Sequence, residues 1–187
     1  MVKRYHESFP SFSYGFDSRY PLQALRRKFP DMTTPYLTPL TSDQLRDAGV
    51  PDPWPFGLMD RVRFGEIDVL GHVNNTGYLR WFENFRIAYF DTYTAESNLE
   101  ERPKSVLRNI GLDFKAEVKM GDDYILTGRT TELRNSSFIM QYAVYVRGQQ
   151  TTTGHAVIVC LTPDNQKMPL SDPWRQKLIT RDGATQL

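Results

Sequence analysis

The stretch from residue 75 to 93 limits the possible folds more than any other. Tyr78, Phe82, Phe85 and Tyr89 recur at helical spacing, and Leu79, Trp81, Ile87, Ala88 and Phe90 widen the apolar surface. Only Arg80, Glu83, Asn84, Arg86 and Asp91 interrupt it. A helix this apolar has to be wrapped on most of its sides. It begins directly after a loop that reads Phe64-Gly65-Glu66-Ile67-Asp68-Val69-Leu70-Gly71-His72-Val73-Asn74. Acidic and amide side chains and a histidine therefore crowd against a helix N-terminus. Such an end presents unpaired backbone N–H groups and a partial positive charge. One side of the place can activate a nucleophile while the other holds an oxyanion, and acyl transfer needs both.

Strand patterns flank the helix. Residues 61–67 read as a strand before it, and 106–118, 124–133, 138–147 and 152–161 read as four strands after it. Leu112, Phe114, Ala116 and Val118 alternate with Asp113, Lys115 and Glu117, and Phe138, Met140, Tyr142, Val144 and Val146 share a face. Turns are expected at Gly121-Asp122-Asp123, at Asn135-Ser136 and at Gly148. Short turns imply antiparallel neighbours, so the last four strands are predicted to form a meander. The fold class is α+β: one long central helix wrapped by a curved antiparallel sheet of about five strands.

Residues 1–59 have a different texture. They hold eight of the twelve prolines, and prolines at that density break regular elements. Short helices are expected at 42–48, with Thr41 or Ser42 as N-cap and Gly49 ending it, and at 22–28. Frequent aromatics, among them Phe9, Phe16, Tyr36 and Trp54, argue for an arm that packs rather than a loose tail. The expected organisation is an extension over 1–59, a domain over 60–165 and a polar tail over 166–187, with a short helix near its end.

Composition excludes several function classes. A net charge of +1, with no basic cluster interleaved with stacking aromatics, argues against nucleic acid as partner. No stretch approaches the roughly 20 apolar residues of a membrane span, and no apolar region follows Lys3 and Arg4 as a signal peptide would require. The lone Cys160 sits in the apolar run Val157-Ile158-Val159-Cys160-Leu161 and reads as a buried strand thiol. His6, His72 and His155 are scattered, so no metal site is expected. Cytoplasmic residence is the default expectation.

Phe64-Gly65-Glu66-Ile67-Asp68, Gly71-His72-Val73-Asn74-Asn75 and Tyr78-Leu79-Arg80-Trp81-Phe82-Glu83 together resemble the hotdog-fold acyl-CoA thioesterases. The likeness is to the 4-hydroxybenzoyl-CoA thioesterase-like group and to acyl-ACP thioesterases, and it covers roughly residues 60–165. Leu112-Asp113-Phe114 and Gly121-Asp122 also resemble that family's second strand and its following turn. The resemblance implies a thioester hydrolase without a cofactor, acting on an acyl-CoA or acyl carrier protein thioester. It implies a homodimer with sites at the subunit interface, often as a dimer of dimers. It assigns the catalytic carboxylate to Asp68 and the carbonyl-polarising amide to the region of Asn75.

Each candidate also has a structural explanation. Asp68 could cap a turn, as Asp does well, or could attack or activate water. His72 could be a base, a carbonyl polariser or a loop hydrogen-bonder. Asn74 and Asn75 are good helix caps, and a well-formed cap also fixes the oxyanion donors. Glu66 reads as supporting the site at most; Glu83 reads as an intrahelical partner of Arg80 or Arg86, and the resemblance to a hotdog subgroup with a helix carboxylate keeps it as a backup catalytic candidate. Tyr78 and Phe82 are expected beside the acyl group. Arg134, Ser136 and Ser137, at the turn before the 138–147 strand, are expected to meet the pantetheine or nucleotide of CoA, or else to form a solvated turn. Two alternatives stay open: a hydratase or dehydratase of the same fold, and a non-catalytic acyl-CoA-binding protein.

Overall fold

The computed structural model describes residues 35–96 and 104–187; the expected helix at 22–28 and most of the aromatic-rich arm lie outside this range. The first short strand, β1 (Pro39–Leu40), leads into helix α1 (Ser42–Asp47). Thr41 caps α1 through a reciprocal pair: its hydroxyl accepts the Gln44 N–H at 3.3 Å, and the Gln44 side chain accepts the Thr41 N–H at 2.9 Å. Gly49 follows with φ +80°, a conformation suited to glycine.

The next strand, β2, covers Gly57–Arg61, not 61–67 as the sequence suggested. Local side-chain bonds turn the chain out of the ladder. Both Arg63 guanidinium nitrogens reach Asp60 at 2.9 Å, and Glu66 accepts the Arg63 N–H at 2.8 Å, closing a single 3-10 turn over Phe64–Glu66. Glu66 and Asp68 therefore lie outside the strand and do not share a sheet face.

Helix α2 spans Asn75–Glu96, beyond the predicted end at 93. It buries Tyr78, Trp81, Phe82, Phe85, Tyr89, Phe90 and Tyr93, but Leu79 and Ile87 stay 39% and 46% exposed. Among the described residues the sheet wraps one side of the helix and leaves Leu79 and Ile87 outside it. Its remaining strands are β3 (Ser105–Phe114), β4 (Asp123–Leu133), β5 (Ser137–Val146) and β6 (Gln149–Cys160).

The strand order is β1-β2-β4-β5-β6-β3. Only β4, β5 and β6 form a meander. The strand after the helix, β3, pairs with β6 at the far edge rather than with β4. A two-residue β7 (Thr185–Gln186) lies parallel to the end of β4, so the sheet has seven strands rather than five. The sheet can close tightly on α2 because two strand positions lack a side chain. A Cβ on Gly128 would stand 2.6 Å from the Phe85 ring, and one on Gly154 would stand 2.7 Å from Phe82. In that space Phe82 stacks on Tyr142 with ring centroids 4.6 Å apart.

The stretch after 165 is not merely polar. Helix α3 (Asp172–Asp182) buries Trp174 and Leu178 in the main core and ends on Gly183 at φ +70°. Its last residue, Asp182, is 3% exposed and accepts from the Tyr89 and Tyr93 hydroxyls of α2 and from the Thr130 N–H. A second cluster covers the outer sheet face, where Leu45 and Trp54 pack on Ile125, Ala143 and Tyr145.

At the start of β4, Asp123 joins β2 to the chain before β1. It accepts from Arg61 at 2.6 and 3.0 Å and from the Tyr36 hydroxyl at 2.8 Å. Burial opposes its ionisation, but the Arg61 and Tyr36 bonds outweigh it and hold the carboxyl below its ordinary 3.8. A folded value below the unfolded one means that this contribution to stability is complete above about pH 4 and is lost as pH falls through the folded value. Denaturant unfolding from pH 7 to 3 is expected to show native protein more stable than Asp123→Asn at neutral pH, with the gap closing in acid. A gap that stays constant would contradict the assignment.

Candidate active site

The loop from 66 to 74 is stitched to itself and to the strand connection behind it. Ile67 bridges Val73, the Asp68 N–H donates to the His72 carbonyl at 2.9 Å, and the Val73 N–H donates to the Val118 carbonyl at 2.8 Å. Asp68 Oδ1 accepts the Leu70 N–H at 2.8 Å and lies 3.4 Å from the His72 N–H. That is the turn-capping role a short acid performs in a Gly-containing loop. The other oxygen, Oδ2, faces His72 Nδ1 at 3.7 Å, with the side chain 24% exposed. Capping thus uses one carboxylate oxygen and leaves the other facing the histidine.

His72 lies between two carboxylates. Its Nε2 stands 3.6 Å from Glu117 Oε1, and Glu117 in turn pairs with Lys119 at 3.3 Å. Glu117 was not among the residues singled out from the sequence, where it read as the polar face of a strand. The ladder of β3 stops at Phe114, and a bridge between His72 and Lys119 carries Glu117 to the loop instead.

The cap of α2 is Asn74. Its Oδ1 accepts the Thr76 N–H at 2.9 Å and the Thr76 hydroxyl at 2.8 Å, while its carbonyl accepts the Gly77 N–H at 2.8 Å. Among the described residues the Asn75 N–H has no partner. It is a free donor at the positive end of a 22-residue helix. Glu66 is committed elsewhere: Oε1 accepts from Trp81 Nε1 and Oε2 from the Arg63 N–H, both at 2.8 Å.

Tyr78 and Phe82 are 3% and 0% exposed and belong to the core. Tyr78 meets Phe114 of β3 with ring centroids 5.0 Å apart, and burial raises its hydroxyl pKa. Arg134, Ser136 and Ser137 are not brought to Asp68 within one chain. Their turn is held by Arg175, which donates to the Arg134 and Asn135 carbonyls at 2.8 and 2.7 Å. It follows the end of β4, whereas the Asp68 loop lies by its start. Eleven strand residues separate the two places, about 33 Å at the usual rise. Among the described residues no group of three or more His, Cys, Asp or Glu gathers to hold a metal, and no helix is long and apolar enough to cross a membrane.

A central helix wrapped by an antiparallel sheet, with a carboxylate-bearing loop at the helix start, is the architecture of a hotdog fold. Residues 62–178 match the family model of the thioesterase-like superfamily, and the chain belongs to that superfamily. A thioesterase superfamily protein from Jannaschia sp. CCS1 is 40% identical, with TM-score 0.75, over 82% of this chain and 99% of that one. A thioesterase from Thermus thermophilus, complexed with coenzyme A and zinc, is 26% identical with TM-score 0.62, over 72% of this chain and 99% of that one. An uncharacterized Bacillus subtilis protein, YsmA, is 27% identical over 57% of this chain and 72% of its own length.

Proposed function

We propose that the protein hydrolyses an acyl-CoA or acyl carrier protein thioester to a carboxylic acid and a free thiol. The observation that carries this reading is the pairing, on one short loop, of a carboxylate with one oxygen left over and a helix-start amide with no partner. Asp68 Oδ2 takes a proton from water as the water oxygen bonds to the thioester carbon; the same oxygen could instead attack that carbon directly. The carbonyl oxygen gains charge and is held by the Asn75 N–H. Collapse breaks the carbon–sulfur bond, and the departing thiolate takes up the proton that Asp68 accepted from water. His72 and Asn74 orient the water or the carbonyl. Base, water and amide supply the whole reaction, so it calls for no cofactor. The coenzyme A bound to the Thermus relative supports CoA as the thiol.

The same proposal makes the working unit a homodimer joined through β3. Among the described residues that strand has a free edge, and Val106, Leu107 and Phe114 on it are 44–45% exposed. Ser105 pairs with Cys160, and Ser137 pairs with neighbouring Val159, so the 134–137 turn lies at the Ser105 end. The loop of Asp68 lies toward the Phe114 end. Antiparallel pairing of two β3 edges about a two-fold axis would bring Arg134, Ser136 and Ser137 of a second copy toward the Asp68 loop. An acyl group would then lie between α2 and β3, near Tyr78 and Phe82. Cytoplasmic residence belongs to the same reading. Cys160 is the only cysteine, and it is buried and free, with its thiol pushed up to about 11 by burial.

The test is release of free thiol from a panel of acyl-CoAs, which hydration and mere binding do not produce. Asn75→Pro removes the proposed oxyanion donor at a helix position that tolerates proline. Its kcat is expected to fall about a hundredfold with the helix content unchanged. Hydrolysis at the native rate would remove the Asn75 amide from the mechanism.

A further inference from the structure

A cavity of about 340 Å³ opens between α2 and the β2–β4 pair, on the size scale of small-molecule sites. Leu58, Leu126 and Phe85 give it an apolar wall, beside Trp81 and Tyr124, whose rings stack 4.0 Å apart. Its two acids are already hydrogen-bonded. Asp60 is held by both Arg63 guanidinium nitrogens at 2.9 Å, and Glu66 by Trp81 and the Arg63 N–H at 2.8 Å. Arg80 and Asn84, one helical turn apart on α2, also line it and have no hydrogen-bond or ion-pair partner among the described residues. Arg80 is therefore the charged side chain of the lining left without a partner, and the Asn84 amide lies beside it.

This place is separate from the edge where a second copy would join. Tyr78 looks toward Phe114 of β3, whereas Trp81 stacks on Tyr124 of β4. Arg80 and Asn84 follow the Trp81 side of the helix, at 100° per residue. The cavity does touch the catalytic loop. The Glu66 side chain holds Trp81 in the wall, and the Glu66 carbonyl accepts the Asn74 N–H of the helix cap at 2.8 Å.

We propose that this cavity is a second binding site, for a monocarboxylate with an apolar body. The carboxylate meets the Arg80 guanidinium and the Asn84 amide in charge-assisted hydrogen bonds. The apolar body lies against Leu58, Leu126, Phe85 and Trp81. An acid of this class is what thioester hydrolysis releases, and that link alone rests on the proposed function; the binding itself does not.

Octanoate titrated into the full chain and followed by tryptophan emission tests this, with octanol as the uncharged probe of equal body. Trp81 lines the cavity, whereas Trp54 packs on the outer sheet face and Trp174 lies on α3. Octanoate is expected to give a saturable change, with octanol at least tenfold weaker. Arg80→Met should weaken octanoate at least tenfold and leave octanol alone, and Arg80→Lys should restore most of the difference. Asp68→Asn should not alter octanoate binding. Equal octanoate affinity in Arg80→Met, equal affinity of native protein for octanol, or loss of octanoate binding in Asp68→Asn would each overturn the proposal. If octanoate binds through Arg80 but no thioester is cleaved, the second site stands and the hydrolytic reading falls.

Discussion

Asp68→Asn is expected to lower kcat for thioester hydrolysis about a thousandfold, within the range for loss of a positioned base. The fold should survive, because an asparagine Oδ1 can still accept the Leu70 N–H that Asp68 Oδ1 accepts at 2.8 Å. Loss of chemistry without loss of the turn would separate the two roles of this side chain. The check is single-substrate kinetics beside a thermal melt. A variant that melts like the native protein and still hydrolyses at the native rate would show that Asp68 only caps the loop. His72→Asn gives a useful comparison. His72 stands 3.7 Å from Asp68 and 3.6 Å from Glu117, too far for direct hydrogen bonds, so its loss should cost less than that of the carboxylate.

Asp182→Ala is the change expected to damage stability most. The carboxylate is 3% exposed and answers three donors at once, the Tyr89 and Tyr93 hydroxyls and the Thr130 N–H, the last at 2.6 Å. Burial pushes its pKa above the ordinary value, against the pull of those donors. Removing it strands buried donors and leaves a void at the junction of α2, β4 and α3. The cost is about 3 kcal/mol, or a fall in Tm of roughly 6–12 °C. Tyr93→Phe removes one donor and leaves the acceptor two others, so it should cost about 1 kcal/mol. Thermal melts of both variants check the order. A larger loss in Tyr93→Phe than in Asp182→Ala would contradict the network. Because this cluster lies near the far end of α2 from Asp68, kcat per folded molecule should change little in either variant.

Residues that act on near neighbours were legible in the sequence. The aromatic spacing of 75–93 marked α2, a capping residue at Thr41 or Ser42 marked the start of α1, and the alternation of 138–147 marked β5. The turn at Gly148 was also visible. Local competition hid the end of β2, where the Arg63–Asp60 and Glu66 bonds break the ladder that the residue pattern favoured. Nothing in the sequence announced Glu117 beside His72, since the alternation of 112–118 continues past the point where β3 leaves the sheet. The stretch after 165 read as polar because α3 carries few apolar residues, yet Trp174 and Leu178 suffice to seat it in the core.

What this sequence determined by itself is therefore local: a helix too apolar to stand alone, a capped loop with a carboxylate ahead of it, and strands of known face. Those properties depend on side chains within a turn or two of each other. The tertiary structure alone decided that β3 closes the far edge, that Asp182 reaches Tyr89 and Tyr93, and that Arg134 stands a strand's length from Asp68. Pairing between distant segments is set by how every apolar face is buried at once, and no window of neighbouring residues contains that information.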